Sequence, residues 1–592
     1  MAALGVVGAA LAAGEVCAQS NADRVAADFG GKMPVLAHYA VDPMSETKYL
    51  PDVYPEDGDA GAPVRIVAAK GEFEPGAFIL HASRDLGKVT FEVCDLRTED
   101  GKVFPKAKLD LKTVKIWYQA ATAWYSYFAD PAPRLCPELL LNDEDFVRVD
   151  EAKRCNYLCV RKDGKTEREF WLGAPKGLNN RVEGQEGFYN YEPDRLQCMR
   201  PEFRDAATHQ GATLKAGSFK EFFLTADVGK DVAAGLYKGE VKVKSEGGQW
   251  SIPVLLRVLP FELPEPGCYF DPEKPYRTWF CDSSGFGSIM GVNGNDRELA
   301  KRQLLRIATV QREHGITIPS YSYSDADAIA VARAAGQHPE FSPWGTCLKS
   351  DLCKMRADAK MRRRQADKIF GKGSSPMMGW GDEYGLGTLR MVRPMIEIYQ
   401  AEGFVFSINS RAGYAAGANV ADIFWPPVNP DHRTSGETSK FNDLGGNGYF
   451  GWYACQHVAV ENPAFNRRQN GFGPYRAGFS CNYNYEIGLT GWNDISSDIY
   501  RPMRMYYGTG DGCVCGLQYE GFREGLDDIR YATLLKKLAL PLSGSKNVKA
   551  RYAARLALKC LADADDDAMD LTALRLEMIE HILKLLTFKE EA

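Results

Sequence analysis

Residues 377–385 read Met-Met-Gly-Trp-Gly-Asp-Glu-Tyr-Gly, and this stretch decides the fold of the middle of the chain. A short apolar run leads into two adjacent carboxylates, Asp382 and Glu383, which lie between glycines. In parallel sheets, the side chains that perform chemistry follow the carboxyl ends of the strands, and glycine lets the backbone leave a strand at an unusual angle. We therefore predict a strand here, with Asp382 and Glu383 at its functional end.

Short apolar runs of the same kind occur on both sides of this stretch. They cover residues 316–319, 404–408 and 421–424, and they alternate with stretches of helical spacing at residues 297–314, 352–370 and 389–402. Strands that alternate with helices form parallel βα units. Residues 267–520 have room for eight such units, so we predict a central (β/α)8 TIM-like barrel there.

Upstream, residues 63–262 consist of short β-branched and aromatic runs between Gly, Asp and Lys turns. Residues 237–243, Tyr-Lys-Gly-Glu-Val-Lys-Val, alternate with a period of two, as half-buried antiparallel strands do. Many such runs predict an N-terminal antiparallel β-sandwich. We expect it to end at the three prolines of residues 259–266, because proline cannot continue a ladder. Residues 125–212 are irregular and charged, and we expect an insertion there that reaches a neighbouring domain.

The two ends of the chain differ from both of these domains. Residues 1–20 form an apolar run of small residues with Val-Cys-Ala near its end, which is typical of a signal peptide, although the usual basic start is missing. We therefore expect export to the periplasm or the outside, followed by an N-terminal extension over residues 21–62. Residues 521–592 carry apolar side chains at helical spacing and predict a C-terminal α-helical cap. No other run is long and apolar enough to span a membrane.

The composition argues against several classes of function. The 592 residues include 72 Lys and Arg and 78 Asp and Glu, a net charge of −6, so no broad basic surface for nucleic acid is expected. Phosphate loops, dinucleotide fingerprints, GxSxG elbows and HExxH helices are absent from the sequence. The 15 cysteines include Cys513-x-Cys515, which has no histidine nearby in the sequence. We predict buried free thiols, with at most one or two disulfides, rather than a zinc site.

Adjacent carboxylates suit one particular form of glycosidic cleavage. Glycosidic cleavage needs an acid for the leaving oxygen and a second group that stabilises charge near the anomeric carbon. Carboxylates on opposite sides of the bond normally come from different strands, whereas neighbours suit substrate-assisted chemistry, in which the sugar's own 2-acetamido oxygen is the nucleophile. Asp382 would then orient the acetamido group, and Glu383 would be the general acid and base.

Two other interpretations stay open. In the first, Glu383 works with a distant carboxylate, Asp422 or Glu520, on a sugar without an acetamido group. A separation of about 5 Å between the two carboxyl groups would favour double displacement. In the second, the chain binds carbohydrate without cleaving it, because a fold alone does not fix a function.

Other side chains that follow strand-like runs are candidates for binding the sugar. Aromatic rings offer flat apolar faces on which sugars stack, and polar side chains hydrogen-bond to the hydroxyls. The predicted substrate-binding residues are Tyr384, Asn409, Asp422, Trp425, Trp452, Tyr453, His457 and Trp492.

Residues 517–531 read Leu-Gln-Tyr-Glu-Gly-Phe-Arg-Glu-Gly-Leu-Asp-Asp-Ile-Arg-Tyr and are rich in charge. We predict a packing role for them, in which Arg523 and Arg530 pair with the acids at helical spacing and fix the cap to the barrel. Glu520 directly follows an apolar run and is the one member expected to reach a cleft.

Several of these segments together resemble the glycoside hydrolase family 123 β-N-acetylgalactosaminidases and their bacterial relatives. The segments are the Gly-Asp-Glu-Tyr-Gly of residues 381–385, the Leu-Pro-x-Pro linker at 263–266, and residues 72–78, 235–239 and 517–531. The resemblance covers roughly residues 60–540. Residues 462–484 depart from the family's pattern and leave the identity of the sugar open.

The resemblance implies the sandwich-plus-barrel fold and a retaining, substrate-assisted mechanism without a metal or another cofactor. It also implies the two roles given above for Asp382 and Glu383. The expected partner is a glycan with a terminal β-linked N-acetylhexosamine, similar to N-acetylgalactosamine, which a monomer or homodimer would cleave.

Overall fold

A computed structural model describes the chain over residues 19–119, 133–172, 199–280, 285–319, 325–341, 351–410, 422–425, 449–454, 462–484, 492, 504–564 and 569–589. Within these ranges only the backbone is described at residues 279, 379–383, 410, 424–425, 453–454 and 589.

The strands fall into two groups along the chain. Those of the first group are β1 (Leu36–Val41), β2 (Asp59–Ala60), β3 (Val64–Lys70), β4 (Glu72–Ala82), β5 (Gly87–Val93), β6 (Leu96–Arg97), β7 (Val103–Phe104), β8 (Leu109–Gln119), β9 (Arg134–Leu141), β10 (Val147–Asp150), β11 (Cys155–Lys162), β12 (Lys165–Leu172), β13 (Ala212–Leu214), β14 (Phe219–Val228), β15 (Gly235–Ser245) and β16 (Gly248–Glu262). Those of the second group are β17 (Arg277–Phe280), β18 (Met377–Tyr384), β19 (Val405–Ser410), β20 (Ile423–Trp425), β21 (Tyr449–Ala454), β22 (Cys481–Asn484), β23 (Tyr506–Thr509) and β24 (Gly512–Cys515).

Most helices lie in the second half of the chain. They are α1 (Asn21–Asp28), α2 (Phe286–Val292), α3 (Arg297–Glu313), α4 (Ala326–Ala334), α5 (Leu352–Phe370), α6 (Leu386–Gln400), α7 (Pro463–Arg467), α8 (Gly473–Arg476), α9 (Leu517–Leu542), α10 (Val548–Asp563) and α11 (Leu571–Lys589). A π-helical turn, Arg468–Phe472, joins α7 to α8. Aspartates fix several starts: Asp296 accepts a hydrogen bond from the Leu299 N–H at α3, and Asp351 accepts one from the Lys354 N–H at α5.

The first group of strands forms two large sheets that pack face to face. One sheet has the order β2-β1-β4-β14-β8-β9, and the other has the order β13-β5-β15-β16-β3 with β6 and β7 attached. The pairing is antiparallel except between β16 and β3, which run parallel. Buried side chains from both sheets, such as Phe78, Tyr237 and Val254, meet in one core. The alternating runs of the sequence therefore do form a β-sandwich.

The sandwich starts earlier than the sequence analysis expects. β1 pairs with β4 over six residues, and Val25 and Tyr39 pack on the outer face of that sheet, so part of the expected N-terminal extension belongs to the sandwich. At the other end, β16 runs through Pro260 to Glu262, with a shift of register after Val258. The ladder is thus interrupted at the proline, and the strand itself continues.

Residues 133–172 are more regular than the sequence suggests. β9 belongs to the sandwich, and β10, β11 and β12 form a separate antiparallel sheet. Phe146 and Leu158 of this region share a buried cluster with Trp492 and Tyr507. The predicted contact of this insertion with the following part of the chain is therefore present.

Six strands of the second group form one parallel sheet in the order β17-β22-β21-β20-β19-β18. In the described part of the chain, helices α2 to α8 lie in the connections from β17 to β18, from β18 to β19 and from β21 to β22, as parallel connections require. On the other side of β17, the Ile318 N–H donates to the Thr278 carbonyl at 3.3 Å, so the predicted run at 316–319 extends the sheet at this edge. The described residues thus show the predicted alternation of strands and helices, and closure into an eight-stranded barrel stays a prediction.

The parallel sheet has two buried faces. On the helix-facing side, Met378 and Phe406 pack with Ile396 of α6 in a large core. On the opposite side, which we call the inner face, Met377 and Ile423 belong to a separate apolar cluster. Successive residues of a strand point to opposite faces, so these clusters assign a face to the remaining positions of each strand.

Helices α9, α10 and α11 form the C-terminal helical region that the sequence predicts. α9 is not a peripheral cap, because most of its residues between Leu517 and Ala539 are buried. A Cβ atom at Gly521 would lie 2.1 Å from the Pro463 carbonyl oxygen, a contact that only glycine allows. The glycines of the motif at 517–531 therefore serve the close packing of α9 against α7. Among the described helices, none is both long and apolar enough to cross a membrane.

Candidate active site

The two predicted catalytic carboxylates, at positions 382 and 383, lie near the carboxyl end of β18. Gly381 pairs with Ile408 of β19, and Tyr384 pairs with Ser410, so three steps along β18 match two along β19. The extra residue makes a β-bulge at 382–383. Bulges re-aim side chains and are frequent next to active sites. The backbone thus places the Asp-Glu pair where the sequence predicts a functional strand end.

Asn409 is the residue of β19 that lies beside this bulge. It is 4% exposed, and it lies on the same face of β19 as Val405, which belongs to the cluster of the inner face. Its backbone pairs with that of Trp425 in β20. Asn409 and the backbone of Trp425 are therefore next to the 382–383 bulge, and both lie at the carboxyl ends of their strands.

Ser407 is a neighbour that the sequence analysis does not single out. It is fully buried and lies two residues before Asn409, on the same inner face of β19. Its backbone pairs with those of Trp380 and Ile423. The only signal for it in the sequence is a hydroxyl inside the otherwise apolar run at 404–408.

For three further predicted substrate-binding residues, the structure describes the side chain of one, only the backbone of the second, and nothing of the third. Tyr384 is half-buried and packs against the helix-facing core, so its ring lies away from the inner face. The backbone of Tyr453 pairs with Tyr483 near the carboxyl end of β21. His457 lies outside the described residues.

Asp422 occupies the opposite end of the sheet from the position expected of a functional carboxylate. It directly precedes β20, so it lies at the amino end of that strand. Its carboxylate accepts hydrogen bonds from the Phe406 N–H at 2.8 Å and from Gln400 Nε2 at 3.0 Å. These contacts give Asp422 a structural role, and they correct its assignment as a substrate-binding or second catalytic residue.

Trp452 and Trp492 also differ from their predicted positions. Trp452 is 1% exposed and packs in the helix-facing core, whereas Asn409 lies on the inner face. Trp492 is fully buried, and its Nε1–H donates to the Gly508 carbonyl at 2.8 Å. Neither ring presents a face on which a sugar could stack, so we remove both from the candidate site.

Glu520 likewise lies far from the strand ends that carry Asp382 and Glu383. Its carboxylate is 3.1 Å from Nε2 of His314, which precedes the strand-like run at 316–319 and therefore lies at the amino end of the sheet. Arg523 contacts the other carboxylate oxygen at 2.5 Å. Burial opposes ionisation, but Arg523 and His314 outweigh it and lower the pKa of Glu520.

A buried charge network joins the sandwich to the C-terminal helices. Asp528 accepts two hydrogen bonds from Arg467, at 2.7 and 2.9 Å, and one from Arg575 at 2.7 Å. Arg575 also contacts Glu524 at 2.6 Å and Glu74 of β4 at 3.1 Å. Burial opposes ionisation of Asp528, but Arg467 and Arg575 outweigh it and lower its pKa.

The predicted pairing within the motif at 517–531 is present in this network. Arg530 contacts Asp527 at 2.6 Å and donates to the Gly71 carbonyl of the sandwich at 2.7 Å. Tyr531 donates to Glu72 at 2.8 Å. Burial and the charge of Asp527 raise the pKa of Glu72 to about 8. These residues fix α9 to the sandwich.

Comparison with known proteins identifies a shared fold. A family 123 glycoside hydrolase from Clostridium perfringens aligns with 94% of this chain and 99% of its own, at a TM-score of 0.62 and 11% identity. A β-glucuronidase from Parabacteroides merdae aligns with 72% of this chain and 46% of its own, at a TM-score of 0.25 and 9% identity. A β-glucuronidase from Bacteroides uniformis aligns with 56% of this chain and 47% of its own, at a TM-score of 0.29 and 10% identity. TM-scores this low do not indicate a shared fold with the two β-glucuronidases. No protein-family model matches the sequence, and no curated protein matches it significantly.

The first of these comparisons extends over nearly the whole of both chains, so the protein has a glycosidase-like fold. At 11% identity the likeness concerns the fold alone.

Proposed function

We propose that this protein is a glycoside hydrolase that removes a terminal β-linked N-acetylhexosamine, similar to N-acetylgalactosamine, from glycans with retention of configuration. The observation that carries the proposal is the Asp382-Glu383 pair in a bulge at the carboxyl end of a parallel strand. The fold is shared over nearly the full length with a family 123 enzyme whose structural study concerns glycolipid glycan hydrolysis. A glycan of that kind is a reasonable first substrate to test.

The proposed architecture is a closed barrel over residues 267–520, between a sandwich and the helical region. Two features support closure. The Ile318 backbone extends the sheet beyond β17, and the inner-face cluster contains Ile318 from one edge, Met377 from the other edge and Cys481 from between them. Side chains of β18 to β22 thus form one continuous apolar layer with Ile318 on the inner face, as the packed interior of a barrel requires.

In the proposed mechanism, Glu383 donates a proton to the glycosidic oxygen while the carbonyl oxygen of the 2-acetamido group attacks the anomeric carbon. The leaving alcohol departs, and a cyclic oxazolinium intermediate forms. The Asp382 carboxylate accepts a hydrogen bond from the acetamido N–H and stabilises the positive charge of the oxazolinium ring. Glu383 then removes a proton from water as it adds to the anomeric carbon, which opens the ring with net retention. Asn409, buried beside the bulge, is the proposed partner that holds the acetamido group or the carboxylates in place.

The described positions do not favour the alternative that uses a distant second carboxylate. Asp422 and Glu520 both lie at the amino end of the parallel sheet, and both have structural partners. The proposal of export as a monomer or homodimer rests on the composition of residues 1–20 and on the class of substrate.

The test is hydrolysis of p-nitrophenyl β-N-acetylgalactosaminide, β-N-acetylglucosaminide and the matching glycosides without an acetamido group. We expect activity on acetamido sugars only. General acid–base groups contribute about 10²–10⁴-fold, so Asp382→Asn and Glu383→Gln should each lower kcat/KM by at least about 100-fold.

Asp422→Asn is the matched control, because it also neutralises one carboxylate next to a strand of the same sheet. We expect it to keep its activity at temperatures where it is folded. Equal activity on sugars without the acetamido group, or a loss in Asp422→Asn as large as that in Glu383→Gln, would favour double displacement instead.

A further inference from the structure

A cluster of metal-ligating side chains lies at the amino end of the parallel sheet, away from the proposed catalytic residues. Ligand atoms of His314, Cys515 and Glu520 all lie within 4.8 Å of one another. His314 follows α3, Cys515 ends β24, and Glu520 lies in the first turn of α9. The cluster therefore gathers three elements that are far apart in the sequence.

The histidine is held in the orientation that metal-binding histidines adopt. Its Nδ1 is 2.8 Å from the carbonyl oxygen of Val310. Because a carbonyl only accepts, Nδ1 carries the proton of that contact, and Nε2 faces Oε1 of the Glu520 carboxylate, so a metal ion would take the place of the proton between Nε2 and Oε1. Metal-ligating histidines almost always donate their other N–H to a carbonyl or carboxylate in this way. The ring also stacks on Tyr519, with centroids 3.8 Å apart and planes 4° apart, which fixes its plane.

The carboxylate is oriented with one oxygen toward the same point. Oε2 of Glu520 is 2.5 Å from Arg523, and Oε1 is 3.1 Å from Nε2 of His314. Tetrahedral zinc sites with bonds of about 2.0–2.3 Å place neighbouring ligand atoms about 3.3–3.8 Å apart. The nitrogen–oxygen separation is thus within a few tenths of an ångström of the distance that a bound ion requires.

Cys515 supplies the sulfur of the cluster, and Cys513, on the same strand, is the candidate for a fourth ligand. Cys513 and Cys515 are two residues apart on β24, so they share a face of the strand. Both are half-buried, which leaves a path for an ion. Two thiolates, one carboxylate and a divalent cation sum to a charge of −1, which the guanidinium of Arg523 balances.

We propose that His314, Cys513, Cys515 and Glu520 bind a divalent cation of the zinc class. Histidine nitrogen, cysteine sulfur and glutamate oxygen are all ligand types that zinc takes in proteins, and four protein ligands make a closed site of the structural kind. The ion would tie β24 and α9 to the end of α3, and it would take no part in the reaction because it lies at the other end of the sheet. The competing arrangement is a His314–Glu520 ion pair beside two free thiols, and the test separates the two.

The experiment titrates the full chain, purified with a reductant and without chelator, with Co2+ and then with Zn2+. We expect a thiolate-to-cobalt charge-transfer absorption at stoichiometric Co2+ that Zn2+ abolishes. Losses of outer-shell partners alone cost about 10–100-fold in metal affinity, so Cys515→Ser and His314→Gln should weaken Zn2+ binding by more than about 100-fold.

Cys560→Ser is the matched control, because Cys560, Glu577 and His581 on α10 and α11 form the other His/Cys/Glu group among the described residues. It should leave the absorption unchanged. A second measurement needs no variant: Zn2+ should slow alkylation of Cys513 and Cys515 by iodoacetamide in the wild-type chain. The proposal is overturned if folded wild type gives no charge-transfer band, if Cys560→Ser removes the band, or if Zn2+ leaves alkylation at the two sites unchanged.

Discussion

Replacing Gly525 by alanine would insert a methyl group between α9 and α7. A Cβ atom at this position lies 2.4 Å from the Arg467 carbonyl oxygen. Ordinary van der Waals contacts begin at about 3.5 Å, so the two helices would have to separate by roughly 1 Å. The hydrogen bonds between Arg467 and Asp528 and the contact of Gly521 with Pro463 join the same two helices. A separation would weaken these contacts as well.

The expected loss of unfolding free energy in Gly525→Ala is the difference between two effects. Overpacking that shifts the backbone costs about 1–3 kcal/mol, and the upper end applies here because the clashing atom belongs to the main chain and cannot rotate away. Alanine is about 1 kcal/mol better than glycine inside a helix. The variant should therefore be less stable than wild type by about 2 kcal/mol.

Urea unfolding of the full chain, followed by tryptophan fluorescence, measures this loss. Gly387→Ala in α6 is the matched control, because nothing lies within 4 Å of its added Cβ, and it should be as stable as wild type or more so. The reasoning fails if Gly525→Ala is as stable as wild type, or if the two variants shift the midpoint equally.

Three other substitutions test the assignments above. Glu72→Gln should make the stability of the protein less sensitive to alkaline pH. Because the pKa of Glu72 is raised in the folded state, its contribution to stability is complete below about pH 4.5 and is lost as the pH rises toward about 8. The urea midpoints at pH 5 and pH 9 should therefore differ in wild type and converge in the variant. Asp422→Ala leaves the Phe406 N–H without its acceptor and should cost about 1–3 kcal/mol in urea unfolding while kcat/KM of the folded fraction is kept; a lost kcat/KM with normal stability would return Asp422 to the active site. Trp492→Phe, which removes the hydrogen bond to the Gly508 carbonyl, should lower stability and leave KM unchanged, and a raised KM would show that the ring binds substrate after all.

Much of the fold follows from local patterns in the sequence. The alternation at 237–243 predicts β15, and the apolar runs at 404–408 and 421–424 predict β19 and β20. Local patterns are less informative about where a strand ends. Asp422 shows this, because the run at 421–424 does not reveal that the strand begins one residue after the carboxylate, which moves that side chain to the opposite end of the sheet.

The sequence also does not predict which aromatic side chains are buried. Trp452 and Trp492 have the composition of sugar-stacking residues, and a sequence does not distinguish an aromatic ring that faces a cleft from one that fills a core. Trp452 takes the helix-facing position because residues of β21 alternate in direction. Trp492 packs against Trp117, which is far away in the sequence.

Long-range pairs could not be predicted at all. Arg523 and Glu520 are three residues apart, so helical spacing predicts their contact. Arg575 and Glu74 meet because the sandwich and α11 pack on α9, and no local pattern indicates this. The same holds for His314, which is 206 residues from Glu520 and supplies the histidine that Cys513-x-Cys515 lacks in the sequence.

The most direct test of the proposed mechanism varies the nucleophile within the substrate. Aryl β-N-acetylgalactosaminides whose acetamido methyl carries one, two or three fluorines present a progressively weaker carbonyl nucleophile, with little change in size. If the acetamido group attacks the anomeric carbon with Asp382 orienting it, kcat/KM of the wild type should fall steeply with each fluorine, and Asp382→Asn should be slow on the whole series. A kcat/KM that is independent of fluorination, together with an active Asp382→Asn variant, would contradict the account.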